Sequence, residues 1–371
     1  MGELDRPLPI PPEGTLSWRQ DIEKYLAPLD RDRALSLLAH DGTFHEEPLS
    51  ANGRNVTLPL KTVLNPYYDC MQISGGVYMP IETAGNDNPY FIRITHLKPG
   101  QGIQPPDFSR YYTHTYTTVS GNEFVTNSDR SPMGAYAQRV AERKIKFTSR
   151  ASYIDETILT PLVLGLYSYT EHDDGEGGNP TAIILATLFG GTRADETFVK
   201  PFINEALANP DKLEAVLERH LDDQCYTLES MGYAASKIHS AGLIHNQLTF
   251  GNVQQIRVKD PTKRFLYVAD WETTEDAQTD GIDPQKAHDI FLAFKSFQNT
   301  IGFIMDRAGG NDPARYLELS REGLRAVMSG YAGLERSELT ISGELDDLII
   351  RGPSNPNDYM PLVRTLIDLT T

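Results

Sequence analysis

The chain has 371 residues, of which 39% are hydrophobic and 23% charged, a composition that suits a folded protein with two cores or one bilobal fold. Its formal net charge of −17 argues against nucleic acid as the main partner, because phosphate backbones are gripped by clustered Lys and Arg. Cys70 and Cys225 are too few for a disulfide framework, the opening "MGELDRPLPIPPEG" lacks an apolar leader, and no apolar run is long enough for a bilayer. The expectation is a cytoplasmic protein without a membrane partner.

Residues 1–14 read as a tail, and residues 16–39 carry helical spacing broken near Pro28. Together residues 1–50 form an expected N-terminal extension. From residue 69 the character changes. "CMQIS", "VYMPIE" and "YFIRIT" are short runs rich in β-branched and aromatic residues, separated by Gly75-Gly76 and by "AGNDNP", which predicts a β-meander. Residues 96–131, with "RYYTHTYTTV" inside, read as an irregular insertion. "SPMGAYAQRVAERKIKF" has a helical period from about residue 133. "ILTPLVLGLYSY" and "TAIILATLF" predict two more strands, split by the loop "TEHDDGEGGNP".

Beyond residue 188 the pattern turns helical. Leu213, Val216, Leu217, Leu221, Cys225, Leu228, Met231, Ala235 and Ile238 recur three or four apart, which predicts one long amphipathic helix over residues 211–241. "VQQIRV" and "FLYVAD" form a hairpin-like pair, and three further helices follow in "PQKAHDIFLAFKSFQNTIGFIM", "ARYLELSREGLRAVMSGY" and "PLVRTLIDL". Strands with one helix come first and a mainly helical half follows. That order predicts an α+β fold of two lobes, the small β-rich lobe over residues 51–187 and the helical lobe over residues 188–371.

The chemistry-bearing stretch is "GLIHNQLTFGNV", residues 242–253. His245 is followed seven residues later by Asn252, and Asp270 closes the next strand in "LYVADWE". An Asp after one strand and an Asn on the adjacent loop can point into one cleft and share Mg²⁺ against a triphosphate. Taken singly, Asp270 reads more readily as a plain strand end and Asn252 as a turn cap.

The ordered set over residues 238–294 resembles the protein-kinase-like fold, in particular its aminoglycoside and choline phosphotransferase branch. The loop of that branch reads roughly LHxxGxxHGDLHxxN, and His239, Gly242, His245, Leu248 and Asn252 fall on matching positions. The resemblance implies a bilobal kinase-like fold, with ATP and Mg²⁺ as cofactors and a small molecule or protein partner in the cleft between the lobes. It makes Asp270 and Asn252 the metal ligands, His245 the residue that fixes the loop backbone, and Asp289 a brace on a later helix. In the first half it suggests Gly75 and Gly76 over the phosphates, Arg93 where the strand Lys belongs, Glu142 as its helix partner, and the Thr187–Leu188 backbone at an adenine edge. A tight turn at Gly75-Gly76 and a solvated helix face at Glu142 describe those residues equally well.

Two departures matter. Gln247 stands where the branch has its catalytic Asp, and Arg93 stands where it has Lys. Gln is neutral and does not accept a proton near pH 7, and Arg is a flat fork, not a compact point charge. Loss of the base with retention of the metal pair is the pattern of a pseudokinase or an atypical nucleotide-using transferase. The alternatives are an active ATP-dependent phosphotransferase on a small hydroxyl compound, or a cleft turned to a non-nucleotide ligand.

Overall fold

The computed structural model describes the strand residues 27–29, 43–45, 49–51, 54–56, 70–73, 76–80 and 90–95, and residues 107–371 apart from 134, 156, 170–171, 189–193, 257–264 and 310–311. The architecture is mixed α and β, with small sheets and a predominantly helical second half.

In the first half the described strands are β1 (Ala27–Leu29), β2 (Thr43–His45), β3 (Leu49–Ala51), β4 (Arg54–Val56), β5 (Cys70–Ile73), β6 (Gly76–Pro80) and β7 (Tyr90–Thr95). They are followed by β8 (Asp107–Ser120), β9 (Glu123–Met133), β10 (Ile158–Leu159), β11 (Leu162–Ser168) and β12 (Thr181–Leu188). Seven of these form one sheet in the order β1-β5-β6-β7-β12-β11-β2. The meander expected from "CMQIS", "VYMPIE" and "YFIRIT" is the antiparallel run β5-β6-β7, which β12 and β11 extend. Ala27–Leu29, inside the stretch with helical spacing, pairs instead with β5 through the register Pro28↔Met71. A Pro sits well on such an outer strand, where its missing N–H costs no ladder bond.

The expected irregular insertion over residues 96–131 is corrected from residue 107 onward. β8 and β9 form a long antiparallel hairpin closed at Gly121, whose φ of +60° suits glycine. Tyr, Thr and Val dominate "RYYTHTYTTV", and these are the residue types that fit a pleated surface. Polar turn-type residues around them hide that signal.

Helix α1 (Gln138–Ala151) lies against β11 and β12. Its first free N–H, that of Gln138, is capped from a distance by Asp174 Oδ2 at 2.9 Å. Asp174 belongs to the loop "TEHDDGEGGNP", so that acidic loop serves as a cap. Helices α2 (Lys200–Ala208) and α3 (Leu213–Ser240) follow. Strand β13 (Leu243–Ile244) pairs with β16 (Glu275–Asp276), and β14 (Val253–Ile256) pairs with β15 (Phe265–Val268). The short strand β10 leaves the first half and adds in parallel to β15, with Ile158 opposite Leu266.

Helices α4 (Pro284–Ala308), α5 (Pro313–Ala332), α6 (Asp346–Arg351) and α7 (Met360–Thr370) complete the chain. Asp283 and Asp312 cap α4 and α5 at their starts, each before a Pro, and left-handed Gly309 and Gly333 end them. The main core lies among α3, α4 and α5, with Leu228, Met231, Phe294, Phe297, Leu324 and Val327 fully enclosed. There α3 and α5 touch backbone to backbone. A Cβ on Gly232 would meet the Val327 carbonyl oxygen at 1.9 Å, and one on Gly330 would meet the Glu229 carbonyl oxygen at 1.9 Å. No helix among the described residues is long and apolar enough to cross a membrane.

Candidate functional site

The quoted loop starts where α3 ends. Gly242, at φ +72°, turns the chain into β13, and His245 follows at zero exposure. Three contacts fix His245. Its backbone N–H donates to Asp289 Oδ2 at 3.0 Å, its Nε2 to the Ala269 carbonyl at 2.9 Å, and its Nδ1 accepts the Gln247 backbone N–H at 3.3 Å. These partners define a neutral ring with its proton on Nε2. Burial holds its pKa below the usual histidine range, against the pull of Asp289. Asp289 itself is fully buried and also faces His239 Nε2 at 3.2 Å. Burial alone would raise its pKa, but the His239 hydrogen bond and the nearby imidazoles keep it lowered. The brace expected at Asp289 is therefore present in the geometry.

A second set of bonds ties the loop to the segment after β15. Thr273 Oγ1 donates to the His245 carbonyl at 2.9 Å, and Asn246 Nδ2 donates to the Thr273 carbonyl at 3.0 Å. Asn246 and Asp270 have φ of 62° and 60°, and among the described residues they are the two non-glycine positions in the left-handed region. Such conformations cost energy and persist where surrounding contacts over-determine them, often at functional sites.

At the open end of the β14–β15 hairpin the Asn252 backbone pairs with Ala269, the residue before Asp270. The Ala269 N–H donates to the Asn252 carbonyl at 2.9 Å, and Val253 pairs with Val268. Asn252 Nδ2 donates to the Gln247 carbonyl at 3.0 Å. Its amide nitrogen is thus spent on the loop. Gln247 has a neighbour that sequence spacing does not reveal: its Nε2 lies 2.8 Å from His114 Nε2 on β8.

The other unforeseen residue is Lys144. It lies on the buried face of α1 at 3% exposure. Its Nζ donates to Tyr136 Oη at 2.9 Å and to Glu272 Oε2 at 2.9 Å, and lies 3.6 Å from Asp270 Oδ1. Burial would push its pKa down, but Glu272, Tyr136 and Asp270 hold it above the ordinary lysine range. Beside it, Arg143 donates to the Glu272 carbonyl and to Asp129. A signal existed: Val140, Ala141, Lys144, Phe147, Thr148 and Ala151 form one buried helical stripe, with a lysine in its middle.

The remaining expected residues are placed as follows. Glu142 is exposed, and its Oε1 accepts from Gln138 Nε2 at 2.9 Å. Arg93 sits in β7 between Tyr78 and Leu185, and Thr187 and Leu188 end β12 opposite Phe91 and Tyr90. The side chains of those three lie outside the described residues. Gly76 opens β6, and Gly75 lies outside the described residues. Among the described residues no three His, Cys, Asp or Glu side chains gather as a metal cage.

No family model matches the chain, and no curated protein matches it in sequence. Among solved structures, WaaP in complex with acyl carrier protein is 11% identical, covering 89% of this chain and 100% of that one at a TM-score of 0.38. A glucosamine kinase, crystal form B, is 13% identical over 84% of this chain and 93% of that one at a TM-score of 0.28. Glucosamine kinase in complex with glucosamine, ADP and inorganic phosphate is 14% identical over 90% of this chain and 94% of that one at a TM-score of 0.27.

Proposed function

We propose that the chain is a bilobal, kinase-like protein that binds a nucleoside triphosphate at the Asn252–Asp270 corner and transfers phosphate poorly, acting mainly as a pseudokinase. The observation that carries this reading is the braced loop. His245, Asp289 and Ala269 lock a backbone that holds Gln247 against Asn252 and pairs Asn252 with the residue before Asp270.

The donor set fits Mg²⁺. That ion takes one or two carboxylates, other oxygen ligands and substrate phosphates, and has no need of an all-protein cage. Asp270 supplies the carboxylate, with its side chain 24% exposed. Asn252 supplies an amide oxygen, since its nitrogen is already bound to the loop. When bound, the ion would offset charge on the triphosphate. The chain's own contribution is to hold these oxygens on a braced backbone that is left-handed at Asp270. Gln247 can hold an acceptor hydroxyl by hydrogen bonding, but it cannot take the hydroxyl's proton.

His114 favours a second reading, an active phosphotransferase on a small hydroxyl compound. An imidazole beside Gln247 is chemically able to accept the proton that Gln247 cannot. Two measurements separate the readings. Thermal shift with ATP, with and without Mg²⁺, tests the site; a shift in neither condition defeats both. Transfer of labelled phosphate to a panel of hydroxyl compounds tests turnover. A rate in the kinase range of about 1–100 s⁻¹ that His114→Ala abolishes would favour the active reading.

A further inference from the structure

The Asp270–Glu272 corner carries two carboxylates, and the protein has already placed a cation against both. Lys144 Nζ is 2.9 Å from Glu272 Oε2 and 3.6 Å from Asp270 Oδ1. The lysine is not a loose surface partner. It is 3% exposed, and Tyr136 Oη receives its third contact at 2.9 Å without adding charge. Helix α1 packs directly on the turn Trp271–Thr273, which sets the Lys144 side chain against the corner. Arg143 anchors the same turn by donating to the Glu272 carbonyl.

We propose that Lys144 is the resident cation of this corner, and that it keeps the ligand-free site from taking a divalent ion, which enters only together with a phosphate-bearing ligand. The charge count supports this. One ammonium against two carboxylates leaves a single negative charge, shared over two groups. A divalent ion approaching Asp270 meets a fixed positive charge in a partly buried setting, where screening by water is weak. Mg²⁺ also gives up its water reluctantly, so one encumbered carboxylate and one amide oxygen are poor compensation. A ligand with several phosphate oxygens supplies the missing negative charge and ligands at once. The site would thereby discriminate against neutral ligands and against unphosphorylated nucleosides. The coupling to ligand phosphate rests on the nucleotide reading above; the effect of Lys144 on the ligand-free site does not.

The test uses the full chain and Mn²⁺ as probe, with free Mn²⁺ followed by electron paramagnetic resonance. Without nucleotide, the wild type is expected to bind no tighter than about 1 mM. Lys144→Met, which removes the charge, should tighten Mn²⁺ binding at least about tenfold. Lys144→Gln, which keeps hydrogen-bonding capacity, replaces it if the Met variant fails to fold. Lys144→Arg, which keeps the charge, should gain no affinity. Wild-type binding tighter than about 100 µM without nucleotide overturns the proposal, and so does unchanged affinity in a folded charge-removed variant. A second arm adds a non-hydrolysable ATP analogue, with which the wild type should retain Mn²⁺. Tightening in the variant without retention by the analogue supports the role of Lys144 and overturns the nucleotide reading. Failure of both arms overturns both.

Discussion

Gln247 has its side chain held between two neighbours, His114 Nε2 at 2.8 Å and Asn252 Nδ2 at 3.5 Å from its Oε1. In the proposed phosphotransferase reading this side chain would meet the acceptor hydroxyl, yet it offers only a neutral amide. Restoring a carboxylate should therefore restore chemistry. Gln247→Asp is expected to raise phosphate transfer from labelled ATP by about 10²-fold or more, the usual worth of a general base. An unchanged rate would show that more than the base is missing. Asp270 is tested separately. Asp270→Asn removes the only charge among the two expected metal ligands, so the Mg²⁺-dependent part of the thermal shift with ATP should disappear. A shift of the same size in that variant would move the metal elsewhere. Both residues stand out in the sequence through the resemblance of their loop and strand end to those of the phosphotransferase branch, and that resemblance is local. Lys144 and His114 do not. Each reaches the site from an element far along the chain, and helical or strand periodicity names the face a residue occupies but not what it meets there.

The elements repeat this division. The long helix α3, the hairpin β14–β15 and the meander β5-β6-β7 have single, unmixed periods, and the sequence predicts them closely. The β8–β9 hairpin looks irregular in sequence because Asn, Ser, Asp and Pro interrupt its β-forming residues, and only pairing across the hairpin satisfies its backbone. The departure of β10 to pair with β15 is a tertiary event with no local signature. Helix packing makes a testable case. Gly232 and Gly330 let α3 and α5 approach until no Cβ fits, since the facing carbonyl oxygens would lie at 1.9 Å. Those obstacles are backbone atoms, which cannot rotate aside. Gly232→Ala should destabilise the chain by about 2–4 kcal/mol in urea unfolding. Gly281→Ala, where no atom lies within 4 Å of the added Cβ, should stay within about 0.5 kcal/mol. Equal losses in the two variants would contradict the close crossing.

At the scale of the whole molecule, the β8–β9 hairpin is joined to the helical half through His288. This ring on α4 donates from Nε2 to the Thr117 carbonyl at 3.2 Å, and its Nδ1 accepts from Tyr359 Oη at 2.7 Å. Phe124 of β9 packs its ring against the same Tyr359. The contact matters for the site because Thr117 lies three residues from His114 on β8, so loosening it would disturb the wall beside Gln247. His288 is buried, and burial lowers its pKa, though the Thr117 carbonyl and Asp289 pull the other way. A histidine whose folded pKa is depressed binds fewer protons folded than unfolded. Its contribution to stability is fully present above the unfolded value of about 6.5, and is lost as the pH falls from there through the folded value. The thermal midpoint should therefore drop as the pH is lowered from 7 towards 5, with buried His245, whose pKa is also lowered, adding to the fall. His288→Gln keeps a donor and an acceptor but removes the titration, so part of that drop should vanish. If the wild type and His288→Gln lost stability in parallel over this range, the fall would belong to groups such as His245 and not to the junction between hairpin and helices.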